Sequence, residues 1–149
     1  MIDRFIGKYR FLSNFYPCTI DLDGTIYPSV EHAFQAAKTT SISERREVLL
    51  AGNAAAAKRV GRGVTLCTNW ESTRMDIMRR LLKQKFSYSG LKMLLLSTGN
   101  DKLVEGNTWG DHFWGACNGH GENWLGKLLM EIRSELREEA NDTGEDSNT

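Results

Sequence analysis

Glu31, Gln35 and Lys38 form one row of side chains in the stretch YPSVEHAFQAAKTT, residues 27–40. At about 100° per residue, Val30, Ala33, Phe34 and Ala37 share an apolar helical face, and the three polar groups line the face beside it. Glu31 and Lys38 are then about 10 Å apart along the axis, so they can bracket a ligand without touching. The row also has a plain structural reading. Ser29 is a good N-cap, Glu31 falls in the first turn where the helix dipole favours a carboxylate, and a last-turn cation such as Lys38 is ordinary.

Further candidates lie downstream. Arg62 in GRG and Arg74 on the following helix suit phosphate, because a guanidinium pairs with phosphate oxygens through two parallel bonds; on an ordinary solvated face they do nothing of the kind. GNTWGDHFWGACNGHGENWLG sets six glycines among three tryptophans, which fits a ligand-holding loop better than any regular element. Trp109 and Trp114 can offer flat faces to a planar base or simply plug the loop, and Trp124 reads as packing. Asn123 opens a helix after glycines, where exposed amides can hold an anion. His112, Cys117 and His120 are close in sequence, but their spacing matches no metal-ligand pattern, and neither a metal nor another cofactor is expected.

These groups need a scaffold. The 149 residues, 40% of them hydrophobic, suit one compact domain. PCTIDLDGTIYP reads as a hairpin about Asp23–Gly24. Helices are expected at about 43–50, 53–60, through TNWESTRMDIMRRLLKQKF and through LKMLLLST, with a brief strand at LVE. A final helix from about Asn123 turns Leu125, Leu128, Leu129, Ile132 and Leu136 inward, and residues 140–149 read as a disordered acidic tail. Nineteen basic and nineteen acidic residues cancel, which argues against bulk nucleic-acid or membrane binding. Charge is nonetheless uneven: from Arg45 to Lys92 there are eleven Lys or Arg against Glu47, Glu71 and Asp76. Three widely spaced cysteines, no apolar leader and no long apolar run suggest a cytoplasmic protein.

The ordered series FLSNF, YPSVEHAFQAAK, GR, NWES, KF, LVE, D-x-x-WG and GENWLGKLLMEIR resembles the NADAR superfamily, which includes the riboflavin biosynthesis intermediates N-glycosidase. The match runs from about Phe11 to Leu136. The resemblance implies an α+β fold, mainly helical with a small antiparallel sheet, spanning residues 1–139. It implies metal-free hydrolysis of an N-glycosidic bond to ribose. One branch acts on phosphoribosylamino-pyrimidine intermediates, another on ADP-ribose attached to guanine, so nucleic acid enters only as a modified substrate. Carried onto this chain, the motifs place Glu31, Asp111 and Lys38 in catalytic roles. Asn14, Gln35, Arg62, Trp70, Arg74, Trp114 and Asn123 join the substrate-binding set, with Trp70 and Trp114 as aromatic walls. Loss of a nitrogen base leaves oxocarbenium character on the sugar, which a carboxylate stabilises while activating water. Lys38 can hold phosphate or ribose hydroxyls, or form an imine with the opened sugar. A binding module that keeps the fold without the chemistry is the other reading.

Overall fold

The computed structural model describes residues 1–146, with side-chain surroundings through Asp142. The chain is α+β, mainly helical with a small antiparallel sheet. Where length suggests one compact domain, its contacts gather in two units: Asn14–Lys85, and Met1–Ser13 together with the chain from Phe86 onward.

In the first unit, β1 (Pro17–Leu22) pairs antiparallel with β2 (Thr25–Ser29). Asp23 and Gly24 both have positive φ, 51° and 87°, as the tight hairpin turn requires. Asp21 Oδ1 accepts the Gly24 N–H at 3.0 Å. Ile20 and Tyr27 face each other across the pair and are buried, which fixes the register.

α1 (Val30–Ala37) begins as expected, with Ser29 Oγ accepting the His32 N–H at 3.0 Å. All eight of its residues are buried, so its polar row is not a solvated face. His32 is satisfied in the core. The Ala51 carbonyl, 3.1 Å from Nε2, can only accept, so Nε2 carries the proton and Nδ1 accepts from Ser29 Oγ at 2.7 Å. α2 (Ile42–Leu49) and α3 (Ala54–Gly61) are capped by Ser41 and Asn53, within a residue of their predicted limits.

α4 (Trp70–Lys85) turns Met78, Leu81 and Leu82 inward and ends on Lys85, which is 0% exposed. Burial pushes the Lys85 ammonium down from 10.5 to about 8, partly countered by Cys18, and its Nζ lies 5.6 Å from the Tyr16 ring centroid. Below pH 8 both folded and unfolded chains hold this proton, and the folded one bears the full burial penalty. Between about 8 and 10.5 only the unfolded chain holds it, so this group raises stability with pH by up to about 1.4 kcal/mol per unit. The thiol of Cys18 and the phenol of Tyr27, raised mainly by burial, act oppositely near and above their ordinary values of 9.0 and 10.0. The expected result is therefore a difference. Denaturant unfolding between pH 7.5 and 9 should show wild type gaining stability relative to Lys85→Met. Parallel curves for the two proteins would mean that Lys85 keeps an ordinary pKa.

The second unit holds a 3-10 helix (Gly7–Leu12), α5 (Ser89–Ser97), β3 (Gly106–Asn107), β4 (Ala116–Cys117) and α6 (Trp124–Asp146). The strand expected at LVE is reduced to a bridge between Leu103 and Ile2, and β3 begins just beyond it, pairing in parallel with β4. The bridge at Leu103 depends on a partner distant in sequence, Ile2, rather than on local propensity. Arg133 is 6% exposed and donates from Nη1 to Thr98 Oγ1 at 2.8 Å, tying α6 to the end of α5. A disordered tail is expected from residue 140. The α6 backbone stays helical to Asp146, since a helix already nucleated by a packed face extends readily through Glu138, Glu139 and Ala140. Residues 147–149 lie outside the described residues. Among the described residues no helix is long and apolar enough to cross a membrane.

Candidate active site

α1 positions the first group of candidates. Glu31 is only 7% exposed, and Gln35, one turn on, donates from Nε2 to its Oε1 at 2.7 Å. That bond fixes the orientation of the carboxyl group. The Asn14 carbonyl accepts the Glu31 N–H at 3.1 Å, which anchors FLSNF at the start of α1. Among the described residues, Oδ1 of Asn14 and Oε1 of Gln35 are buried and without hydrogen-bond partners, a costly condition.

Lys38 follows α1 as its C-cap and is half-buried. Burial lowers its pKa most, Arg62 and Lys58 lower it further, and Glu31 partly restores it. These charges therefore sense one another. α3 packs on α1, and at Gly61 the approach is close: a Cβ at that position would overlap the Gln35 carboxamide. Glu31, Gln35, Lys38, Asn14 and Arg62 thus belong to one neighbourhood, and Lys58 joins them although its sequence context gives no sign of it.

Two predicted members of this unit fall elsewhere. Trp70 is 5% exposed, and its ring packs on Phe34 with centroids 5.1 Å apart, so it serves the core rather than forming a wall for a ligand. An aromatic at the start of an amphipathic helix falls naturally on the face that helix buries. Arg74 is engaged with Glu71 at 3.4 Å on the surface of α4. A cleft of about 620 Å³ opens just past Lys38, lined by Thr39, Thr40, Ser41, Glu44 and residues 65–69. Glu44 is already occupied, accepting from Thr39 Oγ1 at 3.1 Å and from the Thr65 N–H at 2.7 Å.

The glycine-rich loop of the other unit is built around Asp111. Its Oδ1 accepts from the N–H groups of Phe113 and Trp114 at 3.1 and 2.9 Å, and the Asn107 side chain grips its backbone at both N–H and C=O. The Asp111 Oδ2 has no hydrogen bond among the described residues. Trp114 is half-buried, its ring edge-on to Phe113 at 4.8 Å. Asn123 does not offer an anion site. It is 7% exposed with φ 55°, and its side chain donates to the Leu103 carbonyl and accepts the Glu105 N–H, both at 2.9 Å. It acts as a clasp for the loop's base. Asn118 and Gly119, both at positive φ, form a second tight turn that bridges Cys117 to His120, the kind of turn an Asn-Gly pair encodes. His112 Nδ1 lies 2.8 Å from the His120 carbonyl, and among the described residues no His, Cys, Asp or Glu cluster is arranged to hold a metal.

The chain is 42% identical over 132 residues to a Shigella flexneri protein named N-glycosidase YbiA, covering 86% of this chain and 82% of that one. It is 41% identical over 137 residues to a riboflavin biosynthesis protein of Vibrio vulnificus, covering 89% of this chain but spanning only 37% of that longer protein. An NMR structure of the E. coli protein YbiA superposes with a TM-score of 0.80 at 38% identity, covering 94% of this chain and 89% of the other. The NADAR domain model matches residues 4–137, and the chain belongs to the NADAR domain family.

Proposed function

We propose that this protein is a hydrolase of N-glycosyl bonds that splits a ribose phosphate from a nitrogenous base or amine. The observation that carries this reading is the buried Glu31 carboxylate, oriented by Gln35 and set in the same row as the half-buried Lys38. As the C–N bond to the anomeric carbon breaks, the base leaves with the electron pair and takes up a proton. Positive charge then grows on the sugar, where the Glu31 carboxylate stabilises it and can accept a proton from the attacking water. Asp111 is assigned the second carboxylate role, through its unbonded Oδ2. The lowered pKa of Lys38 favours a second route in which its neutral amine adds to C1 of the ring-opened sugar, the base nitrogen takes up the proton and leaves with the C–N electron pair, and water then hydrolyses the lysine imine to the free sugar aldehyde and the amine.

The relatives' names, N-glycosidase and riboflavin biosynthesis protein, support a phosphoribosylamino-pyrimidine as the substrate. The balanced net charge argues against ADP-ribosylated guanine DNA, whose strand would be held by a basic, salt-sensitive surface. Three free thiols are consistent with a cytoplasmic setting. The test compares kcat/KM for the two substrates on one purified preparation at two salt concentrations. The small substrate should be preferred, with little salt dependence. Preference for the modified DNA would reverse the substrate assignment, and cleavage of neither would leave a binding module.

A further inference from the structure

Gly61 is the last residue of α3 and its φ is not positive, so the backbone there has no need of glycine, a residue that weakens a helix relative to alanine. The reason lies in space. A methyl at position 61 would overlap Oε1 of Gln35 and stand 2.6 Å from its Cδ and 2.9 Å from its Cβ, whereas one at Gly63, two residues on, would meet nothing nearer than 3.8 Å. Rotating the Gln35 side chain does not relieve the approach at Cβ, which is fixed to the α1 backbone. Oε1 of Gln35, buried and without a hydrogen-bond partner among the described residues, rests against the bare face of Gly61, and Nε2 is the end of the carboxamide that meets Glu31. The opposite orientation would turn the Gln35 oxygen, in place of a donor, toward Oε1 of Glu31. Gly61, Gln35 and Glu31 are all buried, so the packing of α3 rather than solvent holds the amide in place.

We propose that Gly61 is a positioning residue for the reaction: the notch it leaves in α3 seats the Gln35 carboxamide with its amino group toward the Glu31 carboxyl. Its effect on turnover rests on the glycosidase reading; the seat itself does not. Gly61→Ala, Gln35→Leu and the double variant, each checked by thermal melting, are compared with wild type in kcat, in KM and in the pH titration of the Glu31 carboxyl carbon followed by NMR, its resonance assigned by its loss in Glu31→Gln. A donor to a carboxyl group favours the charged form, so losing it raises the pH at which Glu31 titrates. Gly61→Ala should move that titration in the same direction as Gln35→Leu and lower kcat by roughly 10- to 100-fold, the scale of one hydrogen bond to a charged group, with KM nearly unchanged. The double variant should be no worse than Gln35→Leu alone, because both changes remove one interaction. A folded Gly61→Ala that titrates like wild type overturns the proposal, as does a normal kcat beside a moved titration. Losses that multiply in the double variant overturn it too, since a merely structural shift of α3 acts independently of Gln35. Should Gly61→Ala fail to fold, adding Gln35→Gly removes the three atoms nearest the methyl: recovered folding supports the seat, and continued failure overturns it. If wild type cleaves no N-glycoside yet the Glu31 titration moves as expected, the seat stands and the hydrolase reading falls; cleavage with an unmoved titration removes the seat alone.

Discussion

Glu31→Gln should lower kcat by roughly 10² to 10⁴ with the fold intact, the usual cost of removing a carboxylate that takes part in acid–base work. That range corresponds to about 2.7 to 5.5 kcal/mol of transition-state stabilisation. The substitution is close to isosteric, and the new carboxamide oxygen can still accept from Gln35 Nε2, so the melting temperature should hardly move. A second readout separates charge from shape. Glu31 raises the pKa that burial, Arg62 and Lys58 lower at Lys38, so the variant's Lys38 should deprotonate at a lower pH than in wild type. Amine-reactive labelling across a pH series measures that shift. Near-normal kcat in a folded variant would reduce Glu31 to a buried partner of the helix dipole.

Asp111→Asn should also lower kcat by about 10² to 10⁴, and here comparison with Asp111→Ala decides what the residue does. Oδ1 of Asp111 accepts two backbone N–H groups, from Phe113 and Trp114, and an asparagine oxygen can accept the same two. Asn should therefore keep the loop and lose the chemistry. Ala should lose both, with a drop in stability of about 1 to 3 kcal/mol for the unmet N–H donors. Full activity in Asn together with a destabilised Ala variant would make Asp111 a turn-former only. Turnover assays and thermal melts on the three proteins distinguish these outcomes.

The contrast between these two residues shows how far local rules reach. The Asp23–Gly24 turn and the Ser29 cap were legible because each depends on a few consecutive residues. The Glu31–Gln35–Lys38 row follows equally from helical geometry. An Asn-Gly turn at 118–119 carries the same kind of signal, submerged in the glycines around it.

Other features needed the packed chain. Burial on every side of α1 moved a row of polar groups from surface to interior, and no periodicity within that helix reports what packs over its second face. Arg62 and Arg74 have equal claims in the sequence. Only the fold shows one beside Lys38 and the other engaged with Glu71. Trp70 and Trp114 divided in the same way, into core and loop, because burial depends on neighbours distant in the chain. Sequence by itself determined the helices, the hairpin and the line of groups on α1, since backbone dihedrals and side-chain spacing are short-range properties. Tertiary structure alone decided which charges gather at Lys38, because desolvation and Coulomb interaction depend on distance in space, and Lys58 and Arg62 are brought there by helix packing.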